Sequence, residues 1–262
     1  MTDLLSATGG PLETFYVLGV VYAVVIGGAA WLVRYPPEEV GPAGGTAGGD
    51  EGAAAEGGAT GGGAWRLRDA LGTWQLYALW VVFFLNTTAG LAILSDARVM
   101  AGSIGGASAA MAAAFVVIIS VSDAAGRLLW PALSDRIGGR AVFLIMFCLQ
   151  AAAFSLMPTL AVGSLAVFCV LCMVVMSCYG GGYGTISTLV GAYYGARGLG
   201  AVYAGVFSAS AVASFGAPVL LARSADLLDS YYPAIYATAV LMAVGAIVAV
   251  LVGPPGPRGW RK

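Results

Sequence analysis

Histidine is absent from this 262-residue chain, and only 10% of its residues carry charge. The first absence excludes His-based triads, His-ligated zinc and imidazole proton relays. The second excludes a water-facing globule, because soluble domains carry about 25% charged residues. Twelve basic and thirteen acidic residues leave a formal net charge of −1, so there is no basic footprint for nucleic acid and no nucleic-acid partner is expected. Lysine occurs once, at Lys262. What the chain does have is apolar surface: 60% hydrophobic residues and a mean hydropathy of +0.88. Such a composition reads as an all-α integral membrane protein, with the lipid bilayer as its first partner.

Charge-free stretches set the architecture. Residues 14–33, 70–95, 99–122, 198–222 and 230–257 are uncharged, and 141–196 is uncharged for 56 residues. As one helix that last stretch would reach roughly 84 Å, too long for one crossing of a ~30 Å hydrocarbon core. It must fold back, and Met157-Pro158 with Gly163 is the natural place. The expectation is seven transmembrane helices over about 12–33, 74–95, 106–131, 140–158, 164–187, 199–221 and 232–252.

Arginine and lysine set the direction. With the first span exiting to the cytoplasm, that side receives Arg34, Arg66, Arg68, Arg136, Arg140, Arg197, Arg258, Arg261 and Lys262, against Arg98 and Arg223 opposite. The amino terminus is then outside and the carboxyl terminus cytoplasmic; which membrane is crossed is not encoded here. Residues 36–64 hold eleven glycines and several acids with nothing to bury. That composition reads as a disordered cytoplasmic linker. The chain divides into an outside terminus and first helix (1–35), the linker (36–64), a six-helix bundle (65–253) and a cytoplasmic tail (254–262). Met1 to Pro11 lacks the basic region of a signal peptide, so the first span is a true crossing. Cys148, Cys169, Cys172 and Cys178 all fall in spans and read as small buried thiols, so neither metal nor cofactor is expected.

Two features meet at the end of the third span. Asp123 and Arg127 are spaced i, i+4 on one helical face, inside the membrane. They read either as a self-neutralising ion pair, or snorkelling arginine, or as an anion-binding guanidinium modulated by a protonatable carboxylate. Arginine suits the second role because its fork takes a carboxylate bidentately. Next comes Leu133-Ser134-Asp135-Arg136-Ile137-Gly138-Gly139-Arg140, which resembles the short cytoplasmic signature loop of the major facilitator superfamily. In that reading Asp135, Arg136, Gly138 and Arg140 lock two helices across a tight turn. The usual pattern has glycine four positions before the acid, where this chain has Pro131.

Small residues supply packing faces: Gly180 and Gly184 in the fifth span, and Ala201, Gly205, Ala209, Ala213 and Ala217 along the sixth. The run from Gly180 to Pro218 looks like the tenth and eleventh helices of the oxalate/formate antiporter family, and Leu85-Asn86-Thr87-Thr88-Ala89-Gly90-Leu91 resembles its seventh helix. Asp123 and Arg127 are similar in spacing to a pair in the eighth helix of monocarboxylate transporters. The resemblance implies helix 6 plus the carboxyl-terminal six-helix bundle of a facilitator fold. Oxalate carriers place a lysine where this chain has Ser210, so one buried arginine implies a monoanion rather than a dianion.

The functional expectation is the carboxyl-terminal half of a secondary active transporter that moves a small organic anion, such as a monocarboxylate, by alternating access. Proton coupling or exchange accompanies it, and the missing amino-terminal half or a second chain completes it. Arg127 and Asp123 carry the binding, with Asn86, Thr87, Tyr183 and Ser210 as polar lining or as interhelical hydrogen-bond formers. Rivals are a seven-helix receptor, a membrane enzyme and a transport-inactive fragment. No span offers a lysine for a retinal Schiff base, and one Asp–Arg pair does not build a catalytic constellation.

Overall fold

The computed structural model describes residues 11–32, 67–195, 199–228 and 231–254. The helices are α1 (Pro11–Leu32), α2 (Leu67–Ala70), α3 (Trp74–Ser103), α4 (Ala109–Ile137), α5 (Gly139–Leu160), α6 (Leu165–Tyr194), α7 (Leu199–Leu228) and α8 (Tyr232–Leu251). The expected linker and tail lie outside the described residues, apart from Pro254. Arg66 lies there too. The chain divides into two compact units, residues 1–57 and 58–262. In the first, α1 is a 22-residue helix whose described apolar stretch is Gly19–Ala29.

In the second unit, six helices are long and apolar enough to cross a bilayer: α3, α4, α5, α6, the Leu199–Val219 part of α7, and α8. Several overrun their expected bounds. Helices α3, α6 and α7 have 30 residues each and α4 has 29, so each extends about 45 Å against a core of about 30 Å. Charge bounds an apolar window but does not stop backbone hydrogen bonding. Thus α3 continues past Asp96, where the backbone kinks to φ −122°, ψ 23°. Helix α4 likewise runs through Pro131 to Ile137, and α5 through Pro158 to Leu160. A proline removes one N–H, which a long packed helix tolerates. Of the expected reversal at Met157-Pro158 with Gly163, the helix continues past the first two residues and the turn falls at Ala161–Ser164, where Gly163 takes φ 72°.

Left-handed glycines make the tight turns: Gly106 (φ 68°) between α3 and α4, Gly138 (φ 87°) between α4 and α5, and Gly195 (φ 81°) after α6. Ser108 caps α4 by accepting a hydrogen bond from the Met111 amide. The Gly163 amide donates to the Ile104 carbonyl at 2.9 Å, fastening the α5–α6 turn to the α3–α4 turn.

The most extensive pairings are α4 with α6, α5 with α8, and α3 with α7. Helix α3 stands centrally, touching α4, α6, α7 and α8 as well. Lipid supplies no hydrophobic drive between helices, so small residues and close backbones must hold them. On α7 the buried stripe is Val202, Val206, Ala209, Ala213 and Ala217. The expected stripe is thus corrected at its start. Ala201 is exposed, and Gly205 is half-buried beside Leu67 of α2.

Candidate functional site

Helix α4 places Asp123 and Arg127 one turn apart. The Arg127 Nη2 donates to Asp123 Oδ2 at 3.2 Å. Their side chains, Arg127 first, are 49% and 21% exposed. The Arg127 Cζ lies 5.1 Å from the centroid of the Tyr183 ring on α6, within cation–π range. Among the described residues, Asp123 is the one hydrogen-bond partner of this guanidinium, which leaves its other edge open. Asp123 Oδ1 is buried with no hydrogen-bond partner among the described residues.

The glycine run on α6 creates this geometry. A Cβ at Gly180 would collide with the main-chain and Oδ1 oxygens of Asp123. One at Gly184 would collide with Pro131, and one at Gly126 on α4 with the Ser177 carbonyl. Here the close contact is supplied by Gly184 opposite Pro131, in place of a glycine on α4 itself. Trp130 Nε1 adds a 3.0 Å hydrogen bond to Ser177 Oγ.

The remaining expected binding residues separate. Tyr183 joins the pair, and its hydroxyl lies 3.2 Å from that of Tyr179. Asn86 and Thr87 are instead fully buried. Asn86 Nδ2 donates to the Tyr179 carbonyl at 3.4 Å, and Asn86 Oδ1 accepts from Gln150 Nε2 at 3.3 Å. The Thr87 hydroxyl bonds back to the Phe83 and Phe84 carbonyls. Ser210 is likewise buried, donating to the Phe207 carbonyl at 2.8 Å. Asn86 thus ties α3 to α6 and α5, whereas Thr87 and Ser210 satisfy their hydroxyls on their own helices, because a polar group buried in an apolar bundle takes the nearest acceptor.

Gln150 belongs to this interior network and was not singled out by sequence reasoning. It is the one side-chain amide in the uncharged run 141–196, a signal that would have exposed it. Trp80, whose Nε1 donates to Ser208 Oγ at 3.0 Å between α3 and α7, was also missed.

At the signature loop Gly138 makes the turn, but Asp135 and Arg136 are exposed and form no ion pair among the described residues. The fastening falls to their neighbours: Arg140 Nη2 donates to the Val250 carbonyl of α8, and Ser134 Oγ lies 3.4 Å from Thr188 Oγ1 of α6. Helical rotation of about 100° per residue turns Ser134 inward and Asp135 outward. A hollow of about 520 Å³ lies beside this turn, lined by residues including Arg140, Tyr193 and Val250. Asp123, Arg127 and Tyr183 do not line it. Of the thiols, Cys172 and Cys178 are buried, whereas Cys148 is exposed on α5, contrary to expectation.

The sequence model of the Major Facilitator Superfamily matches residues 3–218. The chain belongs to the major facilitator superfamily. No curated protein matches it. As a facilitator it is a multi-pass membrane transporter for a small-molecule substrate, and the bilayer is its solvent. Facilitators bind substrate near mid-membrane on helices that face an aqueous path. In the Asp123–Arg127–Tyr183 cluster a partly exposed charge pair stands beside an aromatic ring, and one edge of the guanidinium is unfilled by any described residue.

Proposed function

We propose that this facilitator moves a small organic anion of the monocarboxylate kind, with Arg127 as its docking cation and Asp123 as the group that exchanges a proton with the transport cycle. The supporting observation is the single 3.2 Å contact between Arg127 Nη2 and Asp123 Oδ2. A guanidinium held by one N–H retains donors for a bidentate carboxylate. Protonation of Asp123 would release Arg127 to the substrate and leave the loaded pair near neutral, so the cavity closes at lower electrostatic cost. Tyr183 backs the guanidinium. Asn86 braces α6, which carries Tyr183, through the Tyr179 carbonyl.

The amino terminus is assigned to the outer side and the carboxyl terminus to the cytoplasm. Arg127 is half-exposed at the middle of a spanning helix, and a charge facing lipid costs at least about 2.5–3.5 kcal/mol. Transport therefore involves a second helical body opposite this face, within a longer chain or from a second one.

Binding of radiolabelled lactate to the chain in nanodiscs, measured by equilibrium dialysis across pH 5–8, tests the reading. Saturable binding is expected. Arg127→Lys should weaken it by about tenfold or more, because a point charge replaces the fork. Asp123→Asn should flatten the pH profile. Undiminished binding by Arg127→Lys removes Arg127 from the role, and an unaltered profile in Asp123→Asn removes proton coupling.

A further inference from the structure

Aromatic rings gather beside Arg127. Tyr183 meets Phe83 edge-on at 5.1 Å and Tyr179 edge-on at 5.4 Å, and stands 5.9 Å from Phe207. Tyr203 lies 5.5 Å from Phe207 on α7. On α3, Trp80 stacks on Phe84 at 5.4 Å with 5° between the ring planes. Phe83 and Tyr179 are buried, but Phe207 is 40% exposed. Trp80, Phe84, Tyr183 and Tyr203 are half-buried.

Other outward surfaces of the bundle differ. Helix α4 presents Val117, Ile118, Val121, Leu128 and Leu129, and α5 presents Ile145, Leu149, Leu156 and Leu160. The exposed Trp74, Tyr77 and Tyr236 stand within the first two turns of α3 and α8, at the depth where interfacial aromatics belong, and Phe215, 80% exposed midway along α7, stacks on no other ring among the described residues. The cluster around Tyr183 lies well inside its helices, next to the intramembrane cation. Aliphatic side chains serve contact with lipid tails equally well, so lipid contact does not call for several rings packed on one another at that place.

We propose that the transported anion carries an aromatic ring: an arylcarboxylate whose carboxylate meets the open edge of Arg127 while its ring packs against Tyr183 and Phe207. The proposal rests on the carboxylate reading above and narrows it. A formate- or acetate-sized anion would occupy the guanidinium and leave these rings unused. An organic cation is opposed by Arg127, which already holds a face of Tyr183 at 5.1 Å. Offset or edge-on ring contacts add to the area buried, so the ring should raise affinity about tenfold over acetate.

The test uses the full chain in nanodiscs, with empty nanodiscs as the partition blank. Calorimetry compares phenylacetate, cyclohexylacetate, acetate and 2-phenylethylammonium. Phenylacetate should bind about tenfold more tightly than acetate and several-fold more tightly than cyclohexylacetate, and the ammonium should not bind. Phe207→Ala should bring the phenylacetate-to-acetate ratio toward one, with Phe207→Leu intermediate. Equal affinities for phenylacetate and acetate, or for phenylacetate and cyclohexylacetate, overturn the aromatic assignment while the carboxylate reading stands. A ratio unmoved by Phe207→Ala overturns this placement of the ring. Failure of both phenylacetate and acetate to bind, or preferential binding of the ammonium, overturns the carboxylate reading itself.

Discussion

The two tightest seams of the bundle are built in opposite ways. Between α4 and α6, backbone lies on backbone: Gly126 faces the Ser177 carbonyl and Gly180 faces Asp123, with no room for a methyl group at either position. Between α5 and α8, side chains interlock instead. Gly245 accepts the Phe147 ring, whose nearest atom would stand 2.6 Å from a Cβ there, and Met146 and Met242 are buried. The first seam contains the charge pair and the second contains none in its core. A backbone seam has few soft degrees of freedom, so it can hold a carboxylate to fractions of an ångström. A seam of rings and thioethers absorbs small errors by rotation.

The strongest way to break this contrast is Gly180→Val. Its new methyl groups meet main chain and Asp123, which have nowhere to go. Steric-trap or detergent unfolding should show a loss of about 3 kcal/mol or more. Gly245→Ala displaces only a ring, and about 1 kcal/mol is expected in the same assay. Equal losses would mean that the two seams are mechanically alike.

A smaller effect is expected from Gln150→Leu. Gln150 Oε1 has no partner among the described residues, and its Nε2 serves Asn86. Removal gives up one bond and exchanges one orphaned acceptor, Gln150 Oε1, for another, Asn86 Oδ1, so a loss of about 1 kcal/mol is expected in unfolding. The smallest effect belongs to Trp130→Phe, which deletes the bond to Ser177 while retaining most of the ring. Interhelical hydrogen bonds in membranes average about 0.6 kcal/mol, and that loss is expected here.

Much of the fold was legible because lipid imposes a simple grammar: uncharged runs span, arginines mark ends, and glycine permits reversal, as at Gly138 and Gly163. Helix ends were less legible. Asp96, Pro131 and Pro158 read as punctuation, yet backbone hydrogen bonding carries the helices past all three. The i, i+4 spacing brought Asp123 to Arg127, and the glycine run placed Tyr183 beside them. The inward positions of Asn86, Thr87 and Ser210 were not readable. In spans that are apolar almost all round, periodicity does not mark which side of a polar residue meets protein and which meets lipid or water. Gln150 was hidden by the same uniformity, since a run described only by its lack of charge conceals a neutral amide.

A single amide proton, passed from Gly163 to Ile104, ties two hairpins together at one rim of the bundle. Four helices thereby share an anchor. Tilting of α3–α4 against α5–α6 is restrained at that rim by this strap, at the far rim by the covalent turn through Gly138, and between them by the α4–α6 seam. These four helices are therefore built to travel as one slab.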